Sequence, residues 1–210
     1  MSHRYIAVEG NIGSGKSTLA NLLASHYEAK LILEQFADNN FLPKFYREPE
    51  RYAFPLELSF LADRYKQLKE LLINQDIFQQ KIVSDYTFIK CKLFARVNLK
   101  DDEYDLFQKF FDIIDLHLPA PDLMIYLHAP ISKLQGNIQK RGRSFEQAIP
   151  DTYLENVQQV YQQYLKQEIQ KTLIIDTTNV DFVNTPAQFN QLIAFLDRDY
   201  DFSTHYLSID

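Results

Sequence analysis

One stretch constrains this chain more than any other: Gly10-Asn11-Ile12-Gly13-Ser14-Gly15-Lys16-Ser17, followed by Thr18. It fits G-x-x-x-x-G-K-[ST], a loop whose backbone N–H groups cradle phosphates. An apolar run, Tyr5-Ile6-Ala7-Val8, precedes it, and a helical pattern opens near Lys16. The glycines let successive N–H groups turn inward into an anion nest. The helix that follows adds its unsatisfied N–H groups and the positive end of its dipole. In such a loop Lys16 reaches the β- and γ-phosphates, and the Ser17 hydroxyl ligates Mg²⁺. Gly10 to Thr18 are therefore candidate nucleotide-binding residues.

The rest of the chain alternates short apolar runs with helical patterns. Strands are expected at 4–9, 31–34, 81–85, 122–127 and 173–176, and helices at 16–28, 51–74, 86–98, 102–117, 130–140, 150–170 and 185–198. Residues 38–50 read as loop with a short helix, and Pro55 is expected in the first turn of the long helix, where proline is tolerated. The acidic run Asp101-Asp102-Glu103 reads as a helix N-terminus complementing the dipole. The tail 199–210 carries no firm pattern. Alternation of this kind implies βαβ units. The fold class is α/β, with a five-stranded parallel sheet flanked by helices in a single domain over 1–210 and a lid at about 140–150. Ligands in such sheets lie at the carboxyl ends of the strands.

The net charge of −6 argues against broad nucleic-acid or anionic-membrane binding. A single cysteine, Cys91, excludes an internal disulfide and suits a reducing compartment. No apolar run reaches the length of a membrane helix, and the first strand begins within four residues of Met1. No signal peptide and a cytoplasmic location are expected. The five histidines lack metal-ligand spacing.

Two carboxylates close strands and should therefore meet the phosphate loop. Asp85 fits a metal-holding role beside Ser17, or else a helix N-cap. Glu34 fits a general base for an acceptor hydroxyl, or else a loop carboxylate. Arg141 and Arg143 flank Gly142 between two helices; they suit a mobile lid over phosphates, or a solvated basic turn. Glu57 and Arg64, seven residues apart, share one side of the long helix as either a surface pair or part of a site.

Several stretches together resemble the deoxyribonucleoside kinase family. Glu9 to Thr18 is similar to its phosphate loop, and Arg51-Tyr52-Ala53-Phe54-Pro55-Leu56-Glu57 with Phe60 and Arg64 to its substrate helix. Arg141-Gly142-Arg143, Glu146-Gln147 and Ile149-Pro150 with Tyr153-Leu154 look like its lid, and Asp176 with Asp181-Phe182 like its ATP-base loop. The resemblance implies ATP-dependent 5′-phosphorylation of a deoxynucleoside, with Mg²⁺ and a homodimer. It makes Glu34 the catalytic base, with Lys16, Arg141 and Arg143 stabilising transferred charge. Tyr46 and Glu146 match the sugar 3′-hydroxyl site, Glu57 and Arg64 the base-reading pair, Ser17 and Asp85 the metal ligands, and Asp181 and Phe182 the adenine wall.

This sequence departs from the family pattern at three places. Gln35 replaces a proline after the catalytic glutamate, and Asp85-Tyr86-Thr87 lacks the family's arginine, for which Lys90 is a candidate substitute. Glu57 replaces the reading glutamine, and an ionised carboxylate only accepts hydrogen bonds. Guanine offers N1–H and N2–H₂ side by side, and Arg64 could serve its O6 and N7. A purine preference, leaning to deoxyguanosine, is the expectation. The alternatives are a nucleoside monophosphate kinase, such as one acting on thymidylate, and a P-loop module that senses nucleotide without transferring phosphate.

Overall fold

The computed structural model describes residues 3–35, 39–69, 81–167 and 169–209. Its centre is a sheet of β1 (Tyr5–Gly10), β2 (Lys30–Ile32), β3 (Ile82–Ser84), β4 (Leu123–His128), β5 (Thr172–Asp176) and β6 (Thr204–Leu207). The spatial order is β2-β3-β1-β4-β5-β6, and every neighbouring pair is parallel.

Helices cover both faces: α1 (Lys16–His26), α2 (Leu42–Phe45), α3 (Pro49–Leu68), α4 (Lys90–Asn98), α5 (Asp101–Asp115), α6 (Ile131–Arg141), α7 (Asp151–Leu165) and α8 (Pro186–Leu196). The two-residue period of β1 distributes its side chains between two cores. Tyr5 and Ala7 join a cluster with Leu56, Phe60 and Phe107 of α3 and α5. Ile6 and Val8 face the other way, onto Leu19 and Leu23 of α1 and Leu192 and Leu196 of α8. A strand buried on both faces reads as an unbroken apolar run, which is why the sequence pattern was so clear here.

β1 lies between β3 and β4, so the direction of strand succession reverses at its carboxyl end. That reversal opens a crevice, and the phosphate loop leaves β1 into it.

Three expectations change. The sheet has six strands instead of five, because residues 204–207 of the tail pair with β5. Thr204, His205 and Tyr206 are not buried, so this edge strand has no apolar signature. Helix α3 starts at Pro49, which places Pro55 inside the helix, beyond its first turn. The Arg51 carbonyl there has no N–H four residues on. Helix α4 begins at Lys90, not at 86, because the Thr87 N–H is drawn to the Glu9 carboxylate at 2.6 Å. The stretch 70–74 of the expected long helix lies outside the described residues.

Candidate active site

The loop between β1 and α1 closes tightly on itself. Gly10 has φ 149° and Gly13 φ 80°, and a Cβ on either would lie within 2.7 Å of a backbone carbonyl oxygen, that of Leu127 or Leu134. Only glycine fits both positions. Asn11, buried, donates through Nδ2 to the Leu154 carbonyl at 2.8 Å and accepts the Ile12 N–H through Oδ1. Lys16 Nζ donates to the Asn11 carbonyl at 2.7 Å. Burial, with the nearby Lys90 ammonium, lowers its pKa to about 8.

At the carboxyl end of β3, Asp85 has two duties. Its Oδ2 accepts the Ser17 hydroxyl, and its Oδ1 accepts the backbone N–H of Glu34 at 2.7 Å. Ser17 and Asp85 together offer two hard oxygen donors beside the loop. Magnesium takes one or two protein oxygens and completes its shell with water and phosphate. The residues present therefore suit Mg²⁺ brought in with a nucleotide. Among the described residues no cluster of three or more metal-ligating side chains occurs.

Glu34 stands between two cations that come from other elements. Arg64 on α3 donates to Oε1 through Nε at 2.9 Å and Nη2 at 2.5 Å, and Lys90 at the start of α4 donates to Oε2 at 2.6 Å. Burial favours the neutral acid, but Lys90 and Arg64 outweigh it and hold Glu34 well below the usual carboxylate range. Lys90 thus puts a cation on this carboxylate in a chain that lacks the arginine expected after Asp85. Arg64 also donates through Nη1 to Cys91 Sγ at 3.1 Å, and its guanidinium lies over the Phe60 ring. Three of the five guanidinium N–H donors are thus engaged by Glu34 and Cys91, and Arg64 still lines the cavity where a base edge was expected to meet it.

Glu57, about two turns before Arg64, is 2% exposed. Asn98 Nδ2 at the end of α4 donates to its Oε1 at 2.6 Å, while Oε2 has no hydrogen-bond partner among the described residues. Burial pushes its pKa up to about 7, against the pull of Asn98 and Arg64. An exposed surface pair of Glu57 and Arg64 is ruled out, since both are buried.

The lid follows α6. Gly142 caps the helix with φ 71°, and a short 3₁₀ turn, Ser144–Glu146, brings Glu146 back under it. Arg141 Nη2 and Arg143 Nη1 both donate to the buried Glu146 carboxylate. The Tyr46 ring stacks on Phe145 with centroids 6.2 Å apart, and burial, with the Glu146 charge, pushes its phenol up.

These side chains line two cavities. The first, of about 750 Å³, holds Glu34, Tyr46, Glu57, Arg64, Asp85, Lys90, Asn98, Glu146 and Tyr153, together with Ile12. The second, of about 1560 Å³, runs along Gly13 to Leu19 and past residues 177 and 179–183. Lys16, Ser17, Arg141 and Arg143 belong to both. Asp181 and Phe182 are on the wall of the second cavity, and the Asp181 carboxylate is already used. Its Oδ1 accepts the N–H groups of Val183 and Asn184 at 3.0 Å, and its Oδ2 accepts Asn184 Nδ2 at 2.8 Å. Asp181 shapes the loop from within.

Sequence reasoning missed Asn98 and Glu9 as contributors. Glu9 is fully buried and satisfied by the Thr87 N–H and hydroxyl and by the Tyr161 hydroxyl at 2.8 Å. Its position directly before Gly10 was the available signal, since a carboxylate closing a buried strand needs donors from elsewhere.

A family model described as deoxynucleoside kinase matches residues 6–198. The chain is 35% identical over 199 residues to the deoxyguanosine kinase of Bacillus subtilis, covering 90% of this chain and 94% of that protein. It is 30% identical to the deoxyadenosine kinase of Dictyostelium discoideum, over 90% of this chain and 77% of the relative. Among solved structures, deoxyadenosine kinase from M. mycoides with bound dCTP superimposes with a TM-score of 0.78 at 24% identity, covering 92% of this chain and 98% of that one. At that identity the likeness is one of fold.

Proposed function

Since the chain belongs to the deoxynucleoside kinase family, we propose that it transfers the γ-phosphoryl group of ATP·Mg²⁺ to the 5′-hydroxyl of a purine deoxynucleoside, with deoxyguanosine preferred. The observation that carries this reading is the junction of the two cavities. The space containing Glu34 opens onto the phosphate-loop space at Lys16, Ser17, Arg141 and Arg143. Donor phosphate and acceptor hydroxyl would meet among three cationic side chains.

Phosphoryl transfer needs positioning and charge neutralisation more than covalent chemistry. Lys16 would face the β- and γ-phosphates. Arg141 and Arg143, now held by Glu146, would exchange that carboxylate for the transferred group. Ser17 and Asp85 would hold Mg²⁺, which when bound offsets the phosphate charge. Glu34 is kept ionised by Lys90 and Arg64, so it is ready to accept the hydrogen bond of the 5′-hydroxyl without first losing a proton. Its low basicity fits a loose transition state, in which the proton leaves late. Tyr46 and Glu146 adjoin at the cavity wall and would take the sugar 3′-hydroxyl.

The purine preference is supported by the free Oε2 of Glu57 in the first cavity and by the purine kinases among the relatives. Ionised Glu57 accepts both guanine N1–H and N2–H₂; protonated, it offers one donor and one acceptor, which suits adenine N1 and N6. A homodimer is supported by α5, where Leu106, Phe110 and Ile113 leave an apolar stripe exposed beside the buried Phe107 and Phe111. Among the described residues no helix is long and apolar enough to cross a membrane, and with the single cysteine we place the enzyme in the cytoplasm.

The test is transfer from labelled ATP to each of the four deoxynucleosides, with Glu34→Gln alongside. Labelled purine nucleotide, lost in the variant, is expected. ATP binding with no labelled product would instead make the chain a nucleotide sensor.

A further inference from the structure

Helix α6 touches three separate parts of the donor side from residues four apart. Lys133 Nζ donates to the carbonyl oxygens of Thr177, Thr178 at 3.4 Å and Val180 at 2.9 Å, all on the loop after β5. Asn137 Nδ2 donates to the Gly13 carbonyl of the phosphate loop at 2.8 Å. Arg141, the last residue of the helix, carries the lid guanidinium. Positions i, i+4 and i+8 stand above one another on one helix face, so the three contacts form a row of roughly 12 Å.

The backbone is registered as closely as the side chains. A Cβ on Gly13 would lie 2.6 Å from the Leu134 carbonyl oxygen and 3.1 Å from Ile138 Cγ1. Helix α6 therefore rests directly on the phosphate loop and cannot slide along it without a clash. At its other end, three carbonyl dipoles converge on a single ammonium, which has three N–H donors to match them. Without a cation there, the Thr178 and Val180 carbonyls would lose this donor, and Thr177 would keep only the Val180 N–H at 3.2 Å, so the loop would lose its tie to α6.

We propose that Lys133 and Asn137 are positioning residues for the donor nucleotide: with Arg141 they make α6 a rigid spacer that fixes the donor-base loop, the phosphate loop and the lid relative to one another. The proposal rests on the assignment of the second cavity to ATP. The same helix face lines that cavity beside the two loops, and the proposal goes beyond the assignment in making this face a determinant of donor affinity through the loops it holds. The Thr177, Thr178 and Val180 carbonyls also form a cation cradle, one that a soluble alkylammonium ion can enter when the lysine side chain is removed.

The experiment is steady-state kinetics with ATP and nucleoside varied separately, on wild type, Lys133→Met, Lys133→Ala and Asn137→Ala. Each variant is expected to raise the KM for ATP about tenfold while leaving the nucleoside KM within about twofold and kcat at saturating ATP within about threefold. Propylammonium ions are expected to restore much of the ATP KM in Lys133→Ala and to leave Asn137→Ala unmoved. An unchanged ATP KM in Lys133→Met and Asn137→Ala overturns the spacer, as does a nucleoside KM that rises in step with it. If Lys133→Met does not fold, Asn137→Ala and the propylammonium response of Lys133→Ala decide. A wild-type enzyme with no saturable use of ATP would overturn the cavity assignment itself, a result distinct from wild-type activity with insensitive variants.

Discussion

Asp85 accepts the backbone N–H of Glu34 at 2.7 Å while its other oxygen meets the Ser17 hydroxyl. The carboxylate proposed to hold the metal thus also fixes the backbone that carries the proposed base. One side chain would couple the metal and acceptor positions, with Ser17 on the first turn of α1, Glu34 two residues past β2 and Asp85 directly after β3.

Replacing Asp85 separates the two duties. Asp85→Asn keeps an oxygen for the Glu34 N–H but loses the charge on the metal side, whereas Asp85→Ala loses both. We expect kcat to fall by about 10²-fold in Asp85→Asn and by about tenfold more in Asp85→Ala. A magnesium titration of the residual activity would show a raised metal requirement in both.

Glu34→Gln should reduce kcat by about 10²- to 10⁴-fold with the fold intact. The wild-type acid limb should carry no Glu34 ionisation in the usual carboxylate range, because Lys90 and Arg64 hold the group below it. The stability that these partners confer is present above the normal carboxylate pKa and is lost only as pH falls through the lowered one. Lys90→Met removes one of the two cations on the carboxylate, so Glu34 should titrate at a higher pH and an acid limb should appear in the pH–kcat profile. A profile as flat as wild type would remove Lys90 from this role.

Base preference should depend on pH. With Glu57 raised to about 7 by burial, its ionised fraction grows as pH rises through that value. The ratio of kcat/KM for deoxyguanosine to that for deoxyadenosine is therefore expected to climb between pH 6 and pH 8, by about tenfold if one carboxylate carries the discrimination. In Glu57→Gln the ratio should be lower and level across that window.

The same group makes a stability prediction of opposite sign to Glu34. An acid whose folded pKa is raised binds more protons folded than unfolded, so its contribution worsens as pH rises from about 4.5 to about 7. Glu57→Gln, which cannot ionise, is expected to be more stable than wild type at pH 8 by on the order of 3 kcal/mol, with the gain vanishing near pH 4. Urea unfolding of both proteins at the two pH values measures it.

Phe110→Glu on the exposed face of α5 should yield a monomer by analytical ultracentrifugation. An unchanged mass would place the dimer contact elsewhere or remove the dimer.

Much of this protein could be read from its sequence, and the division between what could and what could not is a physical one. The phosphate loop, the βαβ order and the strand-end positions of Glu34 and Asp85 depend on short-range rules. Turn chemistry needs glycine at fixed offsets, and doubly buried strands need unbroken apolar runs. The tail strand β6 escaped because its residues, half exposed at a sheet edge, are held as strand mainly by pairing with β5. The partners within the site escaped for a related reason. Lys90 reaches Glu34 across 56 residues and Asn98 reaches Glu57 across 41. Nothing in the local pattern of either segment encodes the other. The sequence alone determined which chemical groups arrive at the carboxyl edge of the sheet. Tertiary packing decided which of them touch: the approach of α4 to α3 and to the end of β2 brings Arg64 and Lys90 together on Glu34 and sets Asn98 against one oxygen of Glu57.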